Sequence, residues 1–415
     1  MPQKVSFTLD GKKVEADKGL TIWEISNLHG IKIPHLCHKP TPAYRPDGNC
    51  RACMVEIEGE RTLAASCIRE PTDGMVVSTN TDRAKSSQKM IIEMLLSDQP
   101  EASISHDRSS HFWDMAEQNE ITESRLPKIE KDRIPLLDDS HLAMRVNLDA
   151  CIQCGLCVRA CREVQVNDVI GMSGRGHDAY PTFDLADPMG DSTCVACGEC
   201  VQACPTGALM PASVLDDQQI GDSADFDCEV KSVCPFCGVG CQVSLKVKDK
   251  KVKFVEGING PANEGRLCVK GRFGFDYIHH EHRLNKPLIR RDDAPKKGLN
   301  VDPSNWQEFF REATWDEALD FASDGFKALK ENVGGTSVAG FGSAKCTNEE
   351  AYLFQKFIRQ GFGHNNVDHC TRLCHASSVA ALMENVGSAA VTATFNEIEN
   401  ADVAIVIGAN PIENH

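Results

Sequence analysis

One cysteine run occurs twice in this chain, as "CIQCGLCVRAC" at 151–161 and "CVACGECVQAC" at 194–204. Both read C-x2-C-x2-C-x3-C. Three thiolates at that spacing wrap a loop around one 4Fe–4S cluster, and the fourth reaches across to the other cluster. This duplication constrains the fold more than any other feature, because the loops can pack only around two shared inorganic cores. It assigns Cys151, Cys154, Cys157 and Cys204 to one cluster, and Cys194, Cys197, Cys200 and Cys161 to the second.

Two further cysteine sets follow the same logic. Cys37, Cys50, Cys53 and Cys67 are spaced C-x12-C-x2-C-x13-C. Four such thiolates suit a 2Fe–2S cluster, and Gly48 leaves room for a tight turn toward the sulfides. C-x2-C taken alone also permits zinc; the β-rich surroundings and the long first spacing favour iron. Cys234, Cys237, Cys241 and Cys268 form C-x2-C-x3-C-x26-C, a third 4Fe–4S pattern. Of 20 cysteines, Cys228, Cys346, Cys370 and Cys374 remain. The opening "MPQKVSFTLDGKKVEA" has neither an apolar signal core nor twin arginines, which predicts a cytoplasmic protein with thiols kept as metal ligands. A net charge of −16 argues against nucleic acid as a partner. No apolar run approaches the roughly eighteen residues of a membrane span.

The chain reads as an α/β and α+β multidomain protein. Residues 1–80 are expected to form a β-grasp 2Fe–2S ferredoxin-like domain: "KVSFTL", an Asp10-Gly11 turn, "KKVEA", then a helix in "TIWEISNLHG" ending at Gly30. Residues 81–145 form a polar, partly helical connector, with Met90, Ile91, Met94 and Leu95 on one helical face. Residues 146–215 are the two-cluster ferredoxin-like domain. Residues 228–285 hold the third 4Fe–4S site and a hairpin at 242–257. Residues 286–415 begin an α/β domain. There Thr314 and Glu317 make a capping box opening a helix that buries Leu319, Ala322 and Phe326. "TSVAGFG" (336–342) and "ADVAIVIG" (401–408) read as buried parallel strands. The Gly-rich turns after these strands, with Gly342, Lys345, Gly408, Asn410 and Glu413, suit dinucleotide pyrophosphates, although ordinary tight turns explain them equally well.

This order of cluster modules, followed by "GSAKCTNEEAYLFQKFIRQGFGHNNVDHCTRLCHASS" and a closing "GANPIENH", resembles the molybdenum or tungsten formate dehydrogenases. It is most similar to the catalytic α subunit of their soluble NAD-dependent type. The resemblance implies oxidation of formate to carbon dioxide, or the reverse, at a bis-molybdopterin guanine dinucleotide centre. It places Cys374 as the thiolate on molybdenum or tungsten, His375 beside the substrate and Lys270 between the third cluster and a pterin. Cys370 is then structural, because a metal already held by four pterin sulfurs needs one protein thiolate. The electron chemistry agrees. One-electron clusters need a two-electron centre at each end, and no flavin or Walker fingerprint is present, so a flavin- and NAD-binding iron–sulfur subunit is the expected partner.

The chain departs from the family pattern in two ways. No cysteine lies between Cys67 and Cys151, so the further His-Cys cluster of many relatives is expected to be absent, with His106 and His111 exposed to solvent. The chain also stops at His415 inside the pterin domain, so it is expected to be a fragment or to be completed by another polypeptide. The competing reading is a non-catalytic relay resembling the large iron–sulfur subunit of NADH–quinone oxidoreductase; "RLCH" argues against it. A nitrate reductase or another pterin oxidoreductase ranks third.

Overall fold

The computed structural model describes residues 3–41, 43–128, 137–295, 300–394 and 396–410. Their contacts divide the chain into two units. One holds residues 1–234, 239–275 and 410–415; the other holds 235–238 and 276–409.

The first unit opens with a five-stranded sheet in the order Lys12–Asp17, Lys4–Leu9, Val76–Ser78, Met54–Ile57, Ala64–Ala65. Leu9 pairs with Lys12, so Asp10 and Gly11 alone make the turn, at φ 47° and 78°. Positive φ at both positions is what a two-residue hairpin of matching twist requires. Lys4–Leu9 pairs in parallel with Val76–Ser78. The helix Ile22–Leu28 is opened by a complete capping box between Thr21 and Glu24. It drops Ile22, Trp23 and Ile25 onto Phe7, Leu9, Val55 and Val77, and Cys53 and Cys67 lie in the same core.

The stretch expected to be a polar connector is instead part of a core. The helix Asp82–Leu96 buries Ala84, Gln88, Ile92 and Glu93, while Met90 and Met94 are 43% and 49% exposed. Gln88 Nε2 donates to the Met54 carbonyl at 2.8 Å, so a satisfied amide occupies the inward face that apolar counting gave to methionine. Phe112, Met115 and Ala116 of the helix His111–Gln118 pack with Leu36, Ile92 and Ile152 between the first cysteine loop and the duplicated one.

In the duplicated region, Leu156–Arg159 and Glu199–Ala203 are short helices, each preceded by a glycine in the left-handed region, Gly155 and Gly198. Cys228–Val233, Gln242–Lys248 and Lys251–Gly257 form a three-stranded antiparallel sheet that contains the expected hairpin.

In the second unit, Gly340–Gly342 and Val367–His369 pair in parallel, flanked by the helices Asn348–Lys356 and Trp315–Asn332. Two expectations fail here. Thr314 caps the longer helix, but the Glu317 carboxylate binds Arg311 at 2.6 Å instead of closing the box. Leu319 is 60% exposed and Phe326 39%; Phe326 meets Phe357 and Phe362 edge-on and little else covers that stripe. Periodicity reports an apolar face but not what lies against it. Residues 401–408 form no strand, and Val403, Ile405 and Ile407 stand exposed. A strand exists only as half of a ladder, and among the described residues nothing pairs with this one. No described helix is long and apolar enough to cross a membrane.

Candidate iron–sulfur and metal–pterin centres

The duplicated loops are near copies in backbone as well as sequence. Gln153 and Ala196, at equivalent positions, both take positive φ, 52° and 54°. That turn points the Gln153 amide at Cys151 Sγ and the Ala196 amide at Cys194 Sγ, both at 3.4 Å. The Val169 amide reaches Cys161 Sγ at 3.3 Å, and Asn167 Nδ2 reaches Cys197 Sγ at 3.9 Å. Donors aimed at sulfur favour the thiolate, the form that binds iron.

Thiols of the two runs meet across the repeat. Cys161 lines a small cavity together with Cys194, Cys197 and Cys200, beneath Asn167 and Val169. Burial, then Cys197, Cys194 and Cys161, hold the Cys200 thiol well up; burial, against the Glu199 amide and Arg272 and with Cys194 and Cys161, pushes Cys197 to about 11. Burial first, with Cys204 and Cys151 beside it, raises Cys154. Four thiolates so placed repel one another until a cationic cluster offsets their charge, which is the behaviour expected of ligands. No three described His, Cys, Asp or Glu side chains approach closely enough to hold a single metal ion.

Around Cys37 the thiols are closer. Hydrogen bonds from the Cys50 and Cys67 thiols hold Cys37 down at about 2 and keep both partners well up; the Cys67 thiol holds Cys53 at about 7. The Cys50 amide also donates to Cys37 Sγ at 3.3 Å. Four thiols in mutual hydrogen-bond contact are a donor set that fits a 2Fe–2S cluster. For the third 4Fe–4S pattern, the Cys234 amide donates to the Cys241 carbonyl at 2.8 Å, and a Cβ built on Gly271 would lie 3.5 Å from Cys234 Sγ. Cys268 precedes the helix Val269–Phe273, on which Lys270 is half-buried. Cys237 belongs to the second unit.

In that second unit, the His369 ring bridges the Ser343 carbonyl and the Thr371 hydroxyl, both at 2.7 Å. The Ala344 amide donates to Cys370 Sγ at 3.3 Å. Gly342 lines a cavity with Phe341, Ser343, Phe354, Asp368 and His369, and a Cβ at Gly342 would meet His369 at 3.4 Å. Lys345 Nζ donates to the Phe236 carbonyl. Cys374 and His375 follow on the next turn, exposed, with Sγ 3.9 Å from His375 Nε2. Gly408 takes φ 63° in an exposed turn; Asn410 is exposed and groups with the first unit; Glu413 lies outside the described residues. Within the second unit, Gly342 lies beside the start of the 369–375 loop.

His106 corrects the sequence expectation. It is fully buried, its Nδ1 lies 2.8 Å from the Gly207 carbonyl, and Nε2 has no hydrogen-bond partner among the described residues. His111 is exposed but seats Nε2 on the His35 carbonyl at 2.8 Å. Sequence reasoning also missed three buried charges, Arg159, Glu199 and Arg272. Their signal was available: Arg159 and Glu199 lie inside the ligand runs, "CVRAC" and "CGEC", where a charge needs a partner to be buried.

Sequence comparisons agree with this layout. Residues 2–82 match the 2Fe-2S iron-sulfur cluster binding domain, 150–208 the 4Fe-4S dicluster domain, 228–280 the molybdopterin oxidoreductase Fe4S4 domain and 283–415 the molybdopterin oxidoreductase domain. A Bacillus subtilis protein provisionally named formate dehydrogenase YrhE is 32% identical across all of this chain, and a Staphylococcus haemolyticus protein with the same provisional activity is 30% identical. The chain spans 44% of the length of each of these relatives. A crystal structure of an NAD+-reducing NiFe-hydrogenase aligns with 50% of this chain and 87% of its own, at 27% identity and a TM-score of 0.45. In sequence and in the order of its domains, the chain is similar to the iron–sulfur-bearing molybdopterin oxidoreductases and to proteins provisionally named formate dehydrogenases.

Proposed function

We propose that this chain is the electron-relay and metal-ligating part of a cytoplasmic formate dehydrogenase that passes electrons to an NAD-reducing flavin subunit. The observation that carries the reading is the crossed grouping of Cys161 with Cys194, Cys197 and Cys200 around one cavity, beside loops whose amides point at sulfur. Such a relay needs a two-electron donor at one end. The Arg372-Leu373-Cys374-His375 stretch, in a domain matching molybdopterin oxidoreductases, supports a metal–pterin centre in that place.

Within this reading, Cys37, Cys50, Cys53 and Cys67 hold a 2Fe–2S cluster. Cys151, Cys154, Cys157 and Cys204, then Cys194, Cys197, Cys200 and Cys161, then Cys234, Cys237, Cys241 and Cys268 hold three 4Fe–4S clusters. Cys374 gives its thiolate to molybdenum or tungsten, and Gly342 and Lys345 contact the pterin cofactor. When bound, that centre supplies the acceptor for formate's two electrons. His375 stands beside the thiolate, and an imidazole there can take up the proton released as carbon dioxide forms. Lys270 carries positive charge next to Cys268, where it favours reduced states.

Metal analysis of the full-length protein tests the proposal: iron with stoichiometric molybdenum or tungsten, and formate-dependent dye reduction, are expected. Iron without either heavy metal would favour the relay alone. The partner is tested separately. If the full-length subunit reduced NAD with formate unaided, the flavin subunit would be unnecessary.

A further inference from the structure

Two buried arginines sit among the ligand loops. Arg159 is 2% exposed; its NH2 donates to the Cys37 carbonyl at 2.7 Å and to the Cys154 carbonyl at 3.4 Å, and its NH1 pairs with Asp47. Arg272 is 3% exposed; its Nε donates to the Cys197 carbonyl at 2.6 Å, and its own amide donates to the Cys268 carbonyl at 3.1 Å. The Arg159 guanidinium thus bridges cysteine carbonyls of two ligand sets, whereas the Arg272 guanidinium reaches one set and its backbone lies in the helix that follows Cys268 of the next. Only at Gly198 does the missing side chain make room for the arginine. A Cβ at Gly198 would lie 2.1 Å from Arg272 Cδ, and at the equivalent Gly155 the nearest atom is Asn49 Nδ2, at 3.9 Å.

We propose that Arg159 and Arg272 are positioning residues of the electron path, each fixing two successive clusters to one guanidinium-bearing residue. Arg159 joins the 2Fe–2S set to the Cys151–Cys204 set, and Arg272 joins the Cys161–Cys200 set to the Cys268 set. The inference rests on the cluster assignments proposed above. It gives the relay an order with no further cluster between residues 67 and 151: Cys268 set, Arg272, the crossed pair of 4Fe–4S sites, Arg159, 2Fe–2S. Each hop moves one electron from a reduced cluster to an oxidised neighbour, with no proton transferred. The arginine suits the task for a physical reason. Its planar donors reach two carbonyls at once and it stays charged when buried, so it holds the loops in register while its charge favours the reduced clusters.

The test uses the full-length protein with its partner subunits, mixed with formate and frozen at intervals for electron paramagnetic resonance. Arg159→Gln should slow reduction of the 2Fe–2S cluster several-fold and leave the three 4Fe–4S clusters at wild-type rate. Arg272→Gln should slow every cluster beyond the Cys268 set together. Arg159→Lys and Arg272→Lys keep the charge but not the fork, and should stay slow; full rescue by lysine would overturn the positioning role. A second readout needs no formate. In dithionite-reduced protein, each substitution should weaken the magnetic relaxation between the two clusters it joins while iron content holds. Unchanged relaxation and unchanged hop rates would overturn the proposal. Clusters that dithionite reduces and formate does not would instead overturn the formate reading.

Discussion

The Tyr44 hydroxyl donates to the Glu199 carboxylate at 2.8 Å, across 155 residues of sequence. Arg272 meets the other carboxylate oxygen at 3.2 Å and Lys39 lies 3.6 Å from the first. One buried carboxylate therefore ties together the 2Fe–2S domain, the duplicated loops and the Cys268 helix. Burial, then Glu199, pushes the Tyr44 hydroxyl's ionisation well up, so it stays a donor. Glu199→Ala leaves Arg272 buried without its counter-charge and is expected to cost about 3 kcal/mol. Tyr44→Phe, which leaves Glu199 paired, is expected to cost about 1 kcal/mol. Hydrogen exchange at the Lys39, Tyr44 and Arg272 amides is the measurement, since it reads local opening. Equal protection in Glu199→Ala and wild type would contradict the role given to this carboxylate.

His106 makes stability depend on pH. Burial, ahead of the opposing pull of the Gly207 carbonyl and Asp107, holds its pKa below the ordinary histidine value; Arg145 pushes it the same way. As pH falls past about 6.5 the unfolded chain takes up a proton that folded His106 does not, so stability is full above that value and declines below it. His106→Gln should flatten the dependence of the urea midpoint between about pH 5 and 7. An identical slope in the variant would mean that other groups set it.

The cysteine patterns were legible because ligand spacing is a property of the covalent chain: a loop wrapping a cluster has few workable lengths. The Asp10-Gly11 hairpin was legible for a similar reason, since its turn demands positive φ at both positions. What could not be read was which apolar face finds a partner. Met90 and Met94 lost the inward positions to Gln88 and to Glu93, whose carboxylate meets Arg125 at 2.7 Å. Residues 401–408 had strand composition without a ladder. Nor could the partners that bury Arg159, Glu199 and Arg272 be read, because they lie 122, 155 and 75 residues away in sequence.

Iron content should be about fourteen atoms per full-length chain, two from the 2Fe–2S set and four from each 4Fe–4S set. His106 is expected not to change the count, because no cysteine lies between Cys67 and Cys151 to share a cluster with it and its Nδ1 is committed to Gly207. Iron near eighteen, with a fourth 4Fe–4S signal, would mean that the region between Cys67 and Cys151 binds a cluster after all.

The last prediction separates two neighbouring thiols. Cys370 Sγ already accepts the Ala344 amide at 3.3 Å and lies 3.9 Å from His369 Nδ1, so local bonds hold it in the loop. Cys374 lies one turn on, exposed, with His375 Nε2 at 3.9 Å. The family resemblance gives Cys374 the metal, and a soft thiolate suits molybdenum or tungsten. Cys374→Ala is expected to abolish formate-dependent dye reduction while all iron–sulfur signals persist, because the sixteen cluster cysteines are untouched. Cys370→Ala should cost at most about 1 kcal/mol and part of the rate, as the loss of one ordinary hydrogen bond does. His375→Gln should keep the metal and lose most turnover, since an amide cannot take up the proton. Metal analysis beside the dye assay decides the matter: if Cys370→Ala alone lost the metal, or Cys374→Ala stayed active, the ligand would be Cys370.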